Sequence, residues 1–588
     1  MTIEELTWGA IMRFENPTIA ALVSLALVGS SVQAAAPAPV AAQHGMVVSA
    51  HRLATAAGLD VLKNGGNAVD AAVAVAYALA VTFPEAGNIG GGGFMTIRLA
   101  NGRSTFIDFR ETAPAAATAT MYQDAAGNVV PLRSTRGFLA AGIPGTVAGL
   151  ELARSKYGTR PRAPLMAAAI RLARTGFVLD QGDADFLAEG AEDFAKDPAS
   201  AAIFLNHGRP WQAGQRWVQA DLGRTLQAIA AGGAAAFYNG PIAAQIAKAS
   251  QRGGGIMTPA DFAAYKAVER KPIECDYRSY HIISAPPPSS GGIVLCETLN
   301  ILEGYPIASL GFHSAQGVHY TAEALRRAFH DRNLNLGDPD FVKADVTKFT
   351  SKAYAALLRA GISADRATPS SSLPAPAASK EGQSTTHFSI VDAAGNAVSL
   401  TYTLNDWFGA RVTAAGTGVL LNDEMDDFSA KPGASNMFGL VEGSNNAVAP
   451  GKRPLSSMSP TILTKDGQLL MVIGTPGGSH IPTGVLQVLM GVIDYDMTLS
   501  EAIDAPRIHA QWLPDVIYYE KDALSADTMA VLSAKGHSLE LMPYWNQVAA
   551  ILVGGPSLKA VPNAATGNRA RLYGAIDPRL PVGNALGY

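Results

Sequence analysis

From Ala68 to Val81 the chain reads AVDAAVAVAYALAV, which is apolar on almost every face once wound into a helix. A helix of this kind has no side to offer to water and has to be buried. Composition supplies the core that this requires: hydrophobic residues make up 48% and charged residues only 16% of the 588 positions, against roughly 25% charged in an ordinary soluble domain. Disorder is thereby excluded as the general state, and the length excludes a disulfide mini-scaffold. That length allows one large unit or about two to three domains in series. Lys and Arg number 45 against 49 Asp and Glu, a formal charge of -4 with no basic stripe, so the chain lacks a nucleic-acid footprint.

Near the N-terminus a short apolar run, Thr18 to Val28, follows Arg13 and precedes the small-residue stretch Ser30 to Ala36. A basic flank, a short apolar core and a Val-x-Ala site form the pattern of an export signal. The run is shorter than the roughly 20 residues that span a bilayer, so no stable membrane span is expected. The expected signal covers residues 1–34, with Met12 as an alternative start, and the mature chain begins near Ala35 in the periplasm or outside the cell. Cys275 and Cys296 are the only cysteines. With no CxxC and no histidine cluster at ligand spacing, no metal site is expected. An oxidising compartment allows the two to pair. Nothing in the sequence brings their Cα atoms within disulfide range, however, and two buried free thiols are the expectation.

Met46 to Ala50 reads as a strand and His51 to Lys63 as a helix, ended by Asn64-Gly65-Gly66-Asn67. Gly90 to Gly93 lead into an alternating strand, Phe94 to Arg98. These glycines open no helix and carry neither a P-loop lysine nor GxGxxG spacing, so close backbone packing explains them better than a phosphate cradle. From about Val147 to Ala360 the pattern is mostly helical, with a strand-like insert at Tyr277 to Ser284 and a rigid turn, Pro286 to Gly292. A Pro/Ser/Ala-rich stretch, Ala367 to Ser379, reads as a flexible connector. Beyond it, residues 385–475 are dominated by alternating strands and turns. Strands and helices mixed along the chain in this way predict a layered α/β fold.

Thr385 to Val391 forms one strand of a hairpin, Asp392 to Asn396 carries the turn, and Ala397 to Asn405 returns. A turn centred near Ala394 pairs Val391 with Ala397 and so sets Thr385 opposite Thr403, side chains about 5 Å apart at Cβ. Two hydroxyls then face each other at a strand end, an arrangement common as a structural pair and usable for nucleophilic chemistry. After Met471 to Gly474 a second cluster, Thr475-Pro476-Gly477-Gly478-Ser479, turns into a helical run from Val485 to Ile493. Glycine amides at a helix start can stabilise an oxyanion or simply cap the helix. Glu424-Met425-Asp426-Asp427 offers carboxylates to an ammonium, and Arg453 to Ser459 offers hydroxyls to a carboxylate, though either alone reads as a solvated loop.

Taken together, these segments resemble the gamma-glutamyltranspeptidase family over nearly the whole mature chain. The matches are GGNAVDAAVA (65–74), GNIGGGGFM (87–95), DFRETAP (108–114), PPPSSGG (286–292), TTHFSIVD (385–392), MDDFSAKPG (425–433), KRPLSSMSPT (452–461), GTPGG (474–478) and IDPR (576–579). The resemblance implies an N-terminal nucleophile hydrolase with a four-layer αββα sandwich, made as a precursor that cuts itself between Ser384 and Thr385. Residues 35–384 would then be a large subunit and 385–588 a small one, forming one core. It further implies that Thr385 attacks a γ-glutamyl amide, that Thr403 tunes it, and that the Gly477 and Gly478 amides hold the oxyanion. Arg110, Ser456 and Ser457 would bind the α-carboxylate of the donor, and Asn405, Glu424 and Asp427 its α-ammonium. The acyl group would pass to water or to an amino acid or dipeptide. Glutathione is the first donor suggested, and no cofactor is implied.

Two departures stand out. The segment Ala430 to Lys452 resembles the lid loop of bacterial relatives, but Phe438 stands where some carry a tyrosine, so a hydroxyl bond to Asn405 is missing and weaker lid closure is expected. Asp406-Trp407 is unusual and is expected to reshape the acceptor side. A glutaryl or cephalosporin acylase of the same fold is the nearest alternative, disfavoured by Glu424 and Asp427, which suit an ammonium. A non-catalytic exported binding protein is another, disfavoured by the intact Thr385, Thr403 and Gly477-Gly478 set.

Overall fold

The Ala68–Thr82 helix is buried along its whole length. Its start is fixed by a reciprocal cap: Asn67 Oδ1 accepts from the Asp70 amide at 2.9 Å, and Asp70 Oδ2 accepts from the Asn67 amide at 3.0 Å. Asp70 also accepts from the amides of Thr159 and Arg160 and from the Thr159 hydroxyl. One buried carboxylate therefore starts the helix and anchors a distant turn. Across from it, the Tyr402 hydroxyl donates to the Ala76 carbonyl at 3.0 Å and ties the helix to the sheet beneath.

This arrangement comes from a computed structural model that describes residues 36–373, 385–559 and 571–588. The expected signal, residues 1–34, and the cleavage residue Ser384 lie outside the described residues. So does the second half of the expected connector. Pro39–Tyr588 form one compact unit, to which the following description applies.

Two seven-stranded sheets are described in this unit. Sheet I runs Val40–Ala42, Leu572–Ile576, Ala549–Val553, Gln468–Gly474, Thr461–Lys465, Tyr280–Ser284 and Ile273–Tyr277. Sheet II runs Asn584–Gly587, Met46–Ser49, Thr386–Val391, Ala397–Thr403, Gly92–Arg98, Ser104–Asp108 and Val268–Arg270. Their facing sides share one apolar cluster, with Met46, Val48 and Val391 from sheet II meeting Ile283, Ile462, Val472 and Ile551 from sheet I. Side chains also bond across the gap: the Ser389 hydroxyl donates to the Ala549 carbonyl at 3.0 Å and the Ser399 hydroxyl to the Ile473 carbonyl at 2.9 Å. The outer face of sheet II packs on the Arg52–Lys63, Ala68–Thr82 and Thr146–Tyr157 helices, and that of sheet I on Gly291–Leu302, His480–Ile493 and Leu499–Asp504. The layers are thus helix, sheet, sheet, helix, the αββα sandwich of N-terminal nucleophile hydrolases. Both sheets take strands from either side of Thr385. Among the described residues no helix is long and apolar enough to cross a membrane.

Three expectations change. Cys275 and Cys296 are joined as a disulfide with their Cα atoms 6.0 Å apart, not free thiols. Alternate residues of Ile273–Tyr277 are buried, which turns Cys275 toward the Gly291–Leu302 helix that carries Cys296. The strand-like insert is a hairpin of two strands, Ile273–Tyr277 and Tyr280–Ser284, with Arg278 at φ +57° in its turn. The first part of the expected connector is pinned: Thr368 bonds to Glu323, and the buried Ser370 donates to the Trp512 carbonyl at 2.6 Å.

The cap makes a direct prediction. Asp70→Ala removes a carboxylate bonded to several buried donors and is expected to cost about 2–4 kcal/mol, with Asp70→Asn losing less. Thermal midpoints of the two variants measure this, and equal midpoints for wild type and Asp70→Ala would show that the cap holds nothing.

Candidate active site

The hairpin pairs as its turn dictates, from Val391 with Ala397 to Thr386 with Tyr402. Thr385 therefore directly precedes the ladder and Thr403 ends it. Both are buried, and both line one cavity. Thr403 also pairs with Gly92 on its other side, which explains the glycine run. A Cβ on Gly91 would lie 2.1 Å from the Thr403 carbonyl oxygen, and one on Gly93 would lie 2.4 Å from that of Thr401. Close backbone approach, as expected, is what these glycines serve. The Thr403 hydroxyl accepts from the Asn405 amide at 2.8 Å, and Asn405 adopts φ +83°, which ends the strand and carries its side chain to the cavity.

The second cluster lies where Gln468–Gly474 turns into the His480–Ile493 helix, which begins earlier than its period suggests. Gly477 and Gly478 have φ +129° and +54°. Gly478 lines the cavity, and a Cβ there would meet the Phe438 ring at 2.3 Å. Gly477 stands behind it, where a Cβ would lie 2.7 Å from Asn546 Nδ2. Asn546 is fully buried and donates to the Pro476 carbonyl at 2.7 Å, so it shapes the turn from below. His387 spaces the strands at the base: its ring bonds to Thr401 and Ser389, and burial pushes its pKa down to about 3, leaving a neutral imidazole.

Arg110 is fully buried and donates to both Glu424 and Asp427, which sit in the short turn Glu424–Asp427. Its Nε also reaches the Pro454 carbonyl at 3.2 Å. The groups expected at opposite ends of a zwitterion thus touch each other here. Burial opposes the charge on Arg110, but Glu424, Asp427 and Glu111 outweigh it and raise its pKa. Burial likewise raises Glu424 and Asp427, against the pull of Arg110. Ser456 and Ser457 line the same cavity. The Ser456 carbonyl accepts from both the amide and the hydroxyl of Ser290, at 2.7 Å each, so the Pro286–Gly292 turn holds this segment in place.

Sequence reasoning missed Arg332, Leu440, Met458 and Ile481, which also line the cavity. Met458 and Ile481 pack with Phe94, Phe106 and Ala285, giving an apolar wall suited to a methylene stem. The lid segment lies against the cavity without a tyrosine hydroxyl: Phe438 is 4% exposed, its ring fills the space above Gly478, and the Met437 amide donates to Asp426 Oδ2 at 3.0 Å. The Phe438 ring thus packs over Gly478. Asp406 pairs with Arg136 and Arg411, and Trp407 packs on Phe186. Neither lines the cavity.

Against known proteins, a gamma-glutamyltranspeptidase family model matches residues 54–577. The chain belongs to this family. It is 57% identical to a glutathione hydrolase proenzyme of Pseudomonas sp. (strain A14) over 98% of this chain and 99% of that relative. Identity to the glutathione hydrolase proenzyme of Escherichia coli (strain K12) is 50%, over 94% of this chain and 93% of the relative. Among solved structures, cephalosporin acylase from Bacillus halodurans superposes with a TM-score of 0.81 at 27% identity, covering 96% of this chain and 99% of that one. Membership of the gamma-glutamyltranspeptidase family accords with the αββα layers and with a hairpin that brings two threonines to the cavity.

Glu111 gives this charge cluster a measurable pH signature. Its carboxyl is fully buried, neither oxygen has a hydrogen-bond partner, and Arg110 Nη1 lies 3.9 Å away. Burial pushes its pKa up to about 8 despite the nearby Arg110, from about 4.3 in an unfolded chain. The fold thus favours the neutral form, and the stability this allows is complete below the unfolded value and lost as pH rises toward 8. Glu111→Gln stays neutral, so its thermal midpoint should match wild type near pH 4.5 and exceed it increasingly up to pH 8. A difference that does not change with pH would contradict this.

Proposed function

We propose that this chain is a gamma-glutamyltransferase and glutathione hydrolase that cuts itself between Ser384 and Thr385, leaving a large subunit, residues 35–384, and a small one, residues 385–588. The observation that carries this is the convergence of Thr385, Thr403 and Gly478 on one cavity that also holds Arg110, Asn405, Glu424, Asp427, Ser456 and Ser457. Strands from either side of Thr385 interleave in both sheets, so the two products would stay one heterodimeric body. An export signal at residues 1–34 would send it to the periplasm or outside the cell.

A threonine hydroxyl is a weak nucleophile and needs a base; the cut frees the α-amine of Thr385, with a pKa of about 8, to serve. Thr385 Oγ attacks the donor carbonyl while its proton passes to that amine. The oxyanion forms against the Gly477 and Gly478 amides, with Thr403 orienting the nucleophile. Collapse breaks the C–N bond, the leaving amine takes the proton, and a γ-glutamyl ester remains on Thr385. Water, or the amine of an amino acid or dipeptide, then attacks the ester and restores the hydroxyl.

Arg110, Ser456 and Ser457 would meet the donor α-carboxylate, and Asn405, Glu424 and Asp427 its α-ammonium. Charge balance supports a zwitterion: one guanidinium, Arg110, faces the two carboxyls of Glu424 and Asp427, so an added ammonium is favoured where a glutaryl group would bring none. An acylase reading lacks that match.

Thr385→Ala should stay a single chain on a denaturing gel and release no p-nitroaniline from γ-glutamyl-p-nitroanilide, whereas wild type gives two chains and release that glycylglycine accelerates. A cut Thr385→Ala chain would sink the nucleophile assignment. Arg110→Ala should raise the donor KM roughly ten- to 150-fold, equivalent to about 1.5–3 kcal/mol of charge-assisted bonding. An unchanged KM would remove Arg110 from donor binding.

A further inference from the structure

Arg332 lies on the Ala315–Asn335 helix, and its guanidinium, 1% exposed, lines the cavity beside Ser457. Its Nε donates to the Ser290 hydroxyl at 3.1 Å, and Ser290 in turn holds the Ser456 carbonyl. Its Nη2 lies 3.5 Å from the Ser457 hydroxyl. Through Nη1 it donates to Asn333 and to Glu442, the latter in the lid segment. Glu442 is itself buried and accepts from Asn446 Nδ2 through its other oxygen. Asn446 continues the chain of contacts: Nδ2 donates to the Asp427 carbonyl at 2.6 Å, and Oδ1 accepts from the Leu455 amide at 3.0 Å.

We infer that Arg332, Glu442 and Asn446 form a buried relay of positioning residues that sets both ends of the donor clamp at once and couples them to the seating of the lid. This rests on the donor-binding reading given above. One end of the relay places Ser456 and Ser457, where a carboxylate would bind. The other places the backbone of Asp427, where an ammonium would bind. Glu442 joins them and belongs to the lid, so lifting the lid withdraws the carboxylate partner of Arg332 and loosens both ends together. Arg332 also supplies the carboxylate end with positive charge at a point where Arg110 is held by Glu424 and Asp427.

The test uses matured, two-chain enzyme with Arg332→Lys and Glu442→Gln, singly and together. Donors are γ-glutamyl-p-nitroanilide and two analogues, 4-aminobutyryl-p-nitroanilide without the α-carboxylate and glutaryl-p-nitroanilide without the α-ammonium. Each variant should raise KM for the full donor about tenfold with kcat changed less than about threefold. Discrimination in kcat/KM against both analogues should fall about tenfold, and the double variant should be little worse than either single one. A purely structural role would lower yield and thermal midpoint while leaving KM and discrimination at wild-type values, and that result overturns the relay. If both variants remain uncut, the relay is a folding element and the inference is likewise overturned. Wild type inactive on the full donor removes the underlying reading; wild type active and Arg110→Ala impaired, with both relay variants normal, removes the relay alone.

Discussion

The ladder around Thr386–Val391 and Ala397–Thr403 is the constraint from which the site follows, because both strands lie inside sheet II and not at its edge. Met46–Ser49 bonds along one side and Gly92–Arg98 along the other. A slip of one residue would turn every side chain of the hairpin to the opposite face and break pairing on both sides at once. Register thus decides where Thr385 and Thr403 rest. The glycines at 90–93, the turn at Asn405 and the cross-sheet bonds of Ser389 and Ser399 are all fitted to that one alignment.

Electrostatics adds the second requirement. Arg110, Glu424 and Asp427 are removed from water together, and taking one away would leave its partners buried without their counter-charge. A chain with few charges overall concentrates several in one dry place, where each interaction is much stronger than at the surface. The raised pKa values of the carboxyls record their burial, which the attraction of Arg110 only partly offsets.

What could be read in the sequence was whatever short-range pattern determines. The Ala68–Thr82 helix is legible because no face of it suits water, and the hairpin register because a turn signal and the two-residue pleat leave one alignment. The Gly477-Gly478 turn is legible because a strand ends and a helix begins around it. Arg332 was not, since its meaning depends on segments near 290, 442 and 457 meeting in space. The Cys275–Cys296 bond was missed for the same reason: it needs a strand and the helix covering it to be known together. At Phe438 a lost hydroxyl is visible in the sequence, whereas the fit of its ring over Gly478 is not.

The interleaving of strands from either side of Thr385 has a consequence for the life of the protein. An intact chain refolds as one molecule at a rate independent of how dilute it is. Once divided ahead of Thr385, the same body can be rebuilt only by two molecules meeting, each lacking neighbours for several of its strands, with exposed edges that can pair wrongly in the meantime. Division would therefore turn a reversible equilibrium into persistence governed by how slowly the body opens. The uncut state is the one in which the architecture can be assembled, and the cut state one in which it has only to last.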